Sequence, residues 1–239
     1  MQNINPGGNI LESNLELVGN TPIVQLRIME LNNINLFAKL EFYNPTGSIK
    51  DRAANYLIKK LLENKEIDKD TTLLESSSGN FGIALSAYCK KNNLKFIPVV
   101  DPCVLTINEA LINSFGAQVI KINVPDCNGG YLLNRIKKVK ELINEIDNSY
   151  WVNQYANPYN AEAYYHTLGN EICYQMENID YIFMGVSSGG TITGVSNRVK
   201  EKFPHAMVIA VDIFGSVIFG HPPHKRYIPG IGSSLVPEL

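Results

Sequence analysis

The apolar residues of this chain fall into two alternating patterns. Short apolar runs of β character alternate with longer segments in which apolar residues recur three and four positions apart. This alternation is typical of a parallel sheet with crossover helices, so we predict an α/β fold. The predicted strands are 23–26, 35–40, 72–75, 95–100, 118–122, 181–186 and 208–211.

The predicted helices lie between these strands. One follows Lys50, and others span 80–92 and 131–145, each with its apolar residues on one face. Two further helices are predicted at 161–178 and 190–203. The residues of the three apolar faces are Ala54, Leu57, Ile58, Leu61 and Leu62; Phe81, Ala84, Leu85 and Tyr88; and Leu132, Ile136, Val139 and Ile143.

The composition is that of a globular protein without a polyanion-binding surface. Of the 239 residues, 45% are hydrophobic, and 21 basic against 23 acidic side chains give a net charge of −2. A chain of this length forms one large domain or two small ones. Because its lysines and arginines are interspersed with acidic residues, we expect no nucleic-acid partner.

The apolar runs are too short for a membrane protein. Runs such as 181–186 fall far below the roughly 18 residues that a bilayer-spanning helix needs. Residues 1–6 lack the basic and then apolar order of a signal peptide. We therefore expect no membrane partner and predict a cytoplasmic protein.

The cysteine and histidine patterns do not indicate a metal site. Cys89, Cys103, Cys127 and Cys173 are widely spaced without a CxxC pair, so we expect core or surface thiols. The segment 221–224 carries two histidines, but the prolines between them exclude a shared helical face. We predict a polar loop there and no bound metal.

Lys50 is the first candidate for chemistry. It lies in the run Asn-Pro-Thr-Gly-Ser-Ile-Lys-Asp-Arg, 44–52, between the predicted strand 35–40 and the helix that follows. At such a junction an amine can be partly desolvated over a pocket, which lowers its pKa and allows it to form a Schiff base. The alternative is a solvated lysine in the first helical turn.

Two loops at strand-to-helix junctions carry the other candidate residues. The loop 76–80, Ser-Ser-Ser-Gly-Asn, offers hydroxyl, amide and backbone N–H donors to a carboxylate, although it also fits ordinary helix capping. The loop 185–191, Gly-Val-Ser-Ser-Gly-Gly-Thr, suits a phosphate monoester because glycines allow close approach. It matches no nucleotide-loop pattern, so a phosphorylated small molecule is preferred, and a ligand-free tight turn is the alternative.

Together these residues fit pyridoxal 5′-phosphate. Ligands of open α/β sheets bind beyond the carboxyl ends of the strands, and all three features are predicted to lie at the same edge of one sheet. Lys50 would bind the cofactor aldehyde, the glycine-rich loop would hold the 5′-phosphate, and Asn80 would reach the ring hydroxyl. The neighbours of Asn80 would hold an amino acid's carboxylate.

The ordered motifs of the chain resemble those of the cysteine synthase family, the β-replacing branch of fold-type II pyridoxal phosphate enzymes. The resemblance implies two α/β lobes of the tryptophan synthase β type, with parallel-rich sheets, helices on both faces and the cofactor between the lobes. The smaller lobe would span 44–154, and the larger would combine 1–43 with 155–239. The motifs are 18–26, 44–52, 77–80, 115–117, 153–158, 189–191 and 229–232.

Within that family the closer resemblance is to siderophore-pathway enzymes that make N-(2-amino-2-carboxyethyl)-L-glutamate, a precursor of 2,3-diaminopropionate, from O-phospho-L-serine and L-glutamate. Tyr155 and Ser188 replace the phenylalanine and threonine usual in cysteine synthases. Arg135 matches an arginine of the narrower group and would bind the leaving phosphate, with a helix-surface arginine as the alternative. The motifs of this narrower resemblance are 99–102, 129–135, 150–157 and 215–220.

The resemblance implies a ping-pong reaction in which Lys50 is both covalent anchor and general base. Phosphate leaves from O-phospho-L-serine, and the amine of L-glutamate then adds at Cβ. The implied cofactor residues are Lys50, Asn80, Ser187, Ser188, Gly189, Gly190 and Thr191, and the implied substrate residues are Ser77, Ser78, Gly79, Arg135, Gln154, Tyr155 and Ser188.

Family members continue beyond the position of Leu239 with a second glycine-rich segment, which carries the serine or threonine that binds the pyridine nitrogen. Without that segment, we expect sheet and helix faces that are suited to burial to be exposed to water. The chain is then either a fragment of a longer enzyme or a shortened paralogue. The family usually forms homodimers, so a homodimer is expected. The alternative functions are cysteine synthesis from sulfide and a non-catalytic scaffold or regulatory role.

Overall fold

The computed structural model describes residues 11–28, 30, 33–126 and 130–239. Cys127 and Gly129, which belong to two of the sequence predictions, lie outside the described residues, as do residues 1–10 of the predicted larger lobe. Within the described ranges, no helix is long and apolar enough to cross a membrane.

Strands and helices alternate through most of the described chain. The strands are β1 (Ile23–Leu26), β2 (Leu36–Lys39), β3 (Thr72–Glu75), β4 (Lys95–Val100), β5 (Ile120–Lys121), β6 (Ser149–Trp151), β7 (Tyr181–Gly185) and β8 (Met207–Val211). The helices are α1 (Lys50–Glu63), α2 (Asn80–Lys91), α3 (Thr106–Ser114), α4 (Leu132–Glu145), α5 (Pro158–Tyr164), α6 (Asn170–Gln175) and α7 (Gly190–Lys202).

A four-stranded parallel sheet with the order β5-β4-β3-β6 positions the first candidate loop. Leu73 of β3 packs in the same core cluster as α1 and α2, whereas Leu74 packs with Val139 and Leu142 of α4. Successive residues of a strand point to opposite faces, so the sheet is covered by helices on both sides. All four residues of β3 are buried, as expected for its place between two neighbouring strands.

The other strands form two separate pairs. β1 and β2 are antiparallel, with Ile23 opposite Lys39, and β7 and β8 are parallel, with Tyr181 opposite Met207. The end of β7 leads directly into the glycine-rich loop and then into α7. This pair therefore positions the second candidate loop. The prediction that Lys50 and the two loops lie at the same edge of one sheet is wrong, because they follow strands of three separate sheets, β2, β3 and β7.

Helix α5 joins the two regions because it packs against both α1 and α7. The approach to α7 is close: a Cβ at Gly194 would lie 2.1 Å from the carbonyl oxygen of Ala161. A side chain at position 194 would force the two helices apart. Asn157 caps α5 by accepting a hydrogen bond from the backbone N–H of Tyr159 at 3.0 Å.

The structure confirms the predicted α/β class and most element positions. The strands predicted at 23–26, 72–75 and 95–100 have the observed bounds, and the helices predicted at 80–92, 131–145 and 190–203 differ by about one residue at an end. The strand predicted at 118–122 is limited to Ile120–Lys121.

The helix predicted at 161–178 was wrong in detail. It begins at Pro158 and is interrupted by a π-helical stretch, Tyr165–Gly169, before α6. Helix α3 and strand β6 were not predicted. The apolar residues of α3 are largely exposed apart from Ile112, and β6 has 3 residues, so neither carries a strong periodic pattern. The segment 221–224 has no regular secondary structure, in agreement with its assignment as a loop.

One face of the β7–β8 pair is open to water. Tyr181 and Phe183 on β7 are 59% and 63% exposed, and Met207 on β8 is 51% exposed. Parallel strands are ordinarily covered on both faces. A face of this composition is typical of a surface that another layer of polypeptide covers.

Candidate active site

Lys50 is the first residue of α1, at the junction predicted from the sequence. Its backbone N–H donates to the Oγ of Ser48 at 3.2 Å. The preceding turn is fixed by Asp51, whose carboxylate accepts hydrogen bonds from the N–H of Thr46 at 3.1 Å and from its hydroxyl at 2.7 Å. Desolvation by burial lowers the pKa of Lys50 to about 8, so about a tenth of the amine is neutral at pH 7.

A buried ion network anchors the start of α1 two residues after Lys50. The guanidinium of Arg52 contacts Glu41 at 2.6 Å and Glu171 at 2.6 Å. Glu171 also binds Lys39 at 2.7 Å, and the hydroxyl of Thr21 donates to Glu41 at 2.7 Å. The network therefore ties the chain before Lys50, α1 and α6 together around Arg52, a residue that is 1% exposed.

The loop 76–80 begins α2 beyond the carboxyl end of β3. The Oγ of Ser77 accepts a hydrogen bond from the backbone N–H of Gly82 at 3.0 Å, so this oxygen caps the helix. Its hydroxyl proton and the neighbouring N–H groups can still donate to a ligand. Gly79 is extended and precedes the helix, and the side chain of Asn80 is exposed at its first position.

Arg135 reaches this loop from α4. Its Nη1 donates to the Oγ of Ser78 at 3.2 Å and pairs with Asp101 at 3.1 Å. Its buried Nε has no hydrogen-bond partner among the described residues. A buried donor without a partner is costly, and a bound anion would satisfy it. The side chain is 13% exposed, which is unlike a solvated helix-surface arginine.

The glycine-rich loop turns sharply into α7. Gly189 has a φ of +85°, a conformation that glycine adopts without strain. Gly190 begins the helix, and a Cβ there would lie 2.5 Å from the side chain of Asn160. The hydroxyl of Ser187 donates to the carbonyl of Gly232 at 3.1 Å, and Ser188 accepts from the Nδ2 of Asn160 at 3.2 Å. Free backbone N–H groups at this helix start suit a phosphate.

Two side chains of α5 connect the candidate loops. The Nδ2 of Asn160 donates to the carbonyl of Gln154 at 2.6 Å as well as to Ser188. The hydroxyl of Tyr164 donates to the carbonyl of Ile49 at 3.4 Å. Burial raises the pKa of Tyr164, and a hydrogen bond with Thr191 opposes this shift. The lysine junction, Gln154 and the glycine-rich loop are thus linked through one helix.

Tyr155 lies near Ser233 and near Arg135, the arginine that reaches the loop 76–80. Burial raises the pKa of its hydroxyl, while a hydrogen bond with Ser233 and the positive charge of Arg135 oppose the shift. Its carbonyl accepts the backbone N–H of Glu238 at 3.0 Å. Tyr155 and Arg135 therefore share one electrostatic environment beside the candidate carboxylate loop.

A comparison with known protein families identifies the family of the chain. Residues 15–238 match the family described as pyridoxal-phosphate dependent enzymes. The chain belongs to this family. Its members use pyridoxal phosphate, and the chain is therefore an enzyme of the cysteine synthase type with that cofactor.

Solved structures of several enzymes share this fold. The O-acetylserine dependent cystathionine β-synthase of Helicobacter pylori is 35% identical, with a TM-score of 0.88 over 96% of this chain and 75% of its own. A hydrogen sulfide-producing enzyme of Fusobacterium nucleatum is 29% identical, with a TM-score of 0.89 over 98% and 77%. An O-ureido-L-serine synthase at 24% identity, with a TM-score of 0.87 over 96% and 72%, shows likeness of fold alone.

The described residues fit the cofactor of this family. A half-buried amine with a pKa of about 8 is suited to an aldehyde, which reacts with the neutral form. The loop 187–191 combines a glycine of positive φ with the start of a 13-residue helix, as a phosphate ester requires. The residues that would hold pyridoxal phosphate are Lys50, Asn80, Ser187, Ser188, Gly189, Gly190 and Thr191.

Sequence reasoning missed several residues that organise the site. Asn160 and Tyr164 lie four positions apart on α5, a spacing that places them on one helical face. The Asn-Pro pair at 157–158 signalled the start of that helix. Glu75, at the end of β3, was assigned to a strand without further role. No sequence signal indicated where its carboxylate lies.

Proposed function

We propose that the enzyme catalyses β-replacement on O-phospho-L-serine with L-glutamate, giving N-(2-amino-2-carboxyethyl)-L-glutamate and phosphate for 2,3-diaminopropionate and siderophore biosynthesis. The observation that carries the proposal is Arg135, a nearly buried guanidinium beside Ser78 whose Nε bonds to no residue that the structure describes. A phosphate dianion matches the planar donor fork of arginine better than a neutral leaving group does.

The substrate's carboxylate is assigned to the loop 77–80 and to Gln154. These groups lie at the carboxyl ends of the neighbouring strands β3 and β6, where ligands of parallel sheets bind. Ser77, Ser78 and Gly79 supply N–H and hydroxyl donors. Tyr155 and Ser188 are also proposed to contact the amino-acid substrates.

Pyridoxal phosphate, when bound, supplies the electron sink for the charge that develops when the α-proton leaves. Lys50 would take that proton, because its lowered pKa makes the free amine available near neutral pH. The protonated amine would remain beside the reacting carbon. Arg135 would compensate the charge that accumulates on the departing phosphate.

Product analysis tests the proposal. The purified protein, loaded with pyridoxal phosphate, is given O-phospho-L-serine with either L-glutamate or sulfide, and the products are weighed by mass spectrometry. We expect N-(2-amino-2-carboxyethyl)-L-glutamate and free phosphate in the first mixture. Cysteine formation with a larger kcat/KM would instead support the sulfide alternative. A protein that gains no visible absorption band from the cofactor would support the non-catalytic alternative.

Replacing Arg135 with alanine should lower kcat/KM for O-phospho-L-serine by about 10- to 100-fold, the loss expected for hydrogen bonds to a charged group. O-Acetyl-L-serine has no phosphate, so its kcat/KM should fall far less. Absorption by the bound cofactor should be unchanged. Both donors are compared by steady-state kinetics.

The exposed Arg27→Ala variant is the matched control for charge and should behave as the wild type does with either donor. Equal losses for the two donors in Arg135→Ala, or no loss at all, would remove Arg135 from the phosphate site.

Two further assignments accompany the proposal. We propose that the chain forms a smaller lobe across 44–154 and a larger lobe from 1–43 and 155–239, and that two copies assemble as a cytoplasmic homodimer. The four-stranded sheet lies within the first range, and both strand pairs lie within the second. Sedimentation velocity at several protein concentrations measures the assembly.

A further inference from the structure

We infer that Glu75 is a positioning residue for this enzyme: its carboxylate holds the loop 76–80 and the segment 153–155 at a fixed spacing. The inference deepens the proposed function and rests on it, since these two segments are the proposed seat of the substrate's carboxylate. Glu75 itself is buried away from that seat and acts through its neighbours.

The geometry of Glu75 is that of a clamp between two strand ends. It is the last residue of β3 and is 1% exposed. Its Oε1 accepts the backbone N–H of Ser76 at 2.8 Å, and its Oε2 accepts the backbone N–H of Gln154 at 3.2 Å. One side chain therefore satisfies donors from both of the segments that face the substrate.

The need for a carboxylate follows from where the sheet ends. β3 and β6 pair in parallel up to Leu74 and Trp151, and the backbone N–H of Val152 donates to the carbonyl of Leu74 at 3.0 Å. Beyond this point the chains diverge and strand pairing stops. The N–H groups of Ser76 and Gln154 are buried there, and buried donors need acceptors. A carboxylate offers two acceptor oxygens, whereas a glutamine amide offers one oxygen and places N–H₂ against the other donor.

Hydrogen bonds and the charge of Arg135 offset only part of the burial that disfavours the ionised form of Glu75. Burial raises its pKa to about 7, while hydrogen bonds from Gln154, Ser76 and Asn153 and the charge of Arg135 oppose the shift. The other groups that face this region are Asp101, which pairs with Arg135, and the hydroxyl of Tyr155. Above pH 7 both oxygens of Glu75 accept; below it, one oxygen gains a proton and would face a backbone donor. The clamp therefore weakens as the pH falls through about 7.

Hydrogen exchange of the protein without cofactor tests the clamp directly. Amide exchange of 76–80 and 153–155, followed by mass spectrometry and corrected for intrinsic rates, is compared in wild type, Glu75→Gln and Glu75→Asp. We expect exchange in both segments to rise together by at least about 10-fold in Glu75→Gln, because one of the two contacts becomes repulsive. Strand β4 should keep its wild-type protection. Glu75→Asp keeps the charge and should show an intermediate rise.

The exposed Glu63→Gln variant on α1 is the matched control and should leave both segments unchanged. Wild-type exchange in the two segments should also rise when the pH falls from 8 to 6, and this measurement decides the matter if Glu75→Gln does not fold. The inference would be overturned if folded Glu75→Gln exchanged both segments at the wild-type rate, or if only one of the two segments exchanged faster.

A kinetic measurement separates positioning from general stability. In the loaded enzyme Glu75→Gln should raise KM for the amino-acid donor about 10-fold and change kcat less. We also expect the wild-type KM to rise as the pH falls below about 7, and this rise should be absent in Glu75→Gln. The exchange experiment needs no substrate. Failure of the proposed reaction would therefore leave the exchange result intact, and failure of the clamp would leave product formation intact.

Discussion

Lys50→Ala should abolish product formation, with kcat/KM reduced by at least about 10³-fold, since the amine is both covalent anchor and general base. The variant should also lose the visible absorption of lysine-linked cofactor. Its melting temperature should change little, because Lys50 is half-buried and burial already disfavours its charge. Steady-state kinetics, absorption spectra and thermal unfolding measure the three quantities.

Lys59 provides the matched control because it lies on the same helix with a side chain that is 69% exposed. Lys59→Ala should keep wild-type activity and absorption. Borohydride reduction of the loaded wild type, followed by peptide mapping, should place the tag on Lys50. A tag on another lysine, or retained turnover in Lys50→Ala, would contradict the assignment.

Arg52→Ala should destabilise the fold by about 3–5 kcal/mol, the usual loss when one member of a buried ion pair is removed. The substitution would leave the carboxylates of Glu41 and Glu171 without the guanidinium that contacts each at 2.6 Å. Urea unfolding followed by circular dichroism measures the loss. Because the network anchors α1, cofactor affinity should fall with stability.

Lys60→Ala removes a surface ion pair with Glu63 at 3.4 Å and should cost at most about 1 kcal/mol. A similar small cost for Arg52→Ala would show that the network does not stabilise the fold.

Acid unfolding gives an independent measure of what the network contributes to stability. Burial would raise the pKa of Glu171, but hydrogen bonds from Arg52 and Lys39 lower it to about 2. The stabilisation that Glu171 contributes is therefore present above pH 4.5 and is lost as the pH falls toward 2. Arg52→Ala should remove most of this pH dependence of the free energy of unfolding.

The sequence predicted the parts of the site that depend on local chemistry. A lysine before a helical pattern, a serine-rich loop after an apolar strand and a glycine-rich loop before another helix each carry a short-range signal. The structure places all three at strand-to-helix junctions, as predicted. Ser77 shows the limit of such signals, because its Oγ accepts a hydrogen bond from the backbone N–H of Gly82 in α2, and a serine-rich loop predicts such capping as well as it predicts ligand binding.

The parts that sequence reasoning missed depend on long-range pairing. The role of Glu75 requires Gln154 to lie beside it, and these residues are brought together by β6, a strand of 3 residues. A strand of this length is too short to show a clear alternation of apolar and polar residues in the sequence. Asn160 acts in the same way, since its contacts with Gln154 and Ser188 come from segments far apart in the sequence.

The uncovered side of the β7–β8 pair bears on how long this polypeptide survives in a living cell. Tyr181, Phe183 and Met207 display aromatic and thioether groups of the kind that chaperones and quality-control proteases recognise. The abundance of the protein would then depend on how quickly another layer of polypeptide covers those side chains after synthesis. The exposed side chains that begin at Tyr181 would then govern the lifetime of the protein in the cell, whereas the glycine-rich loop at the other end of β7 would govern its catalysis.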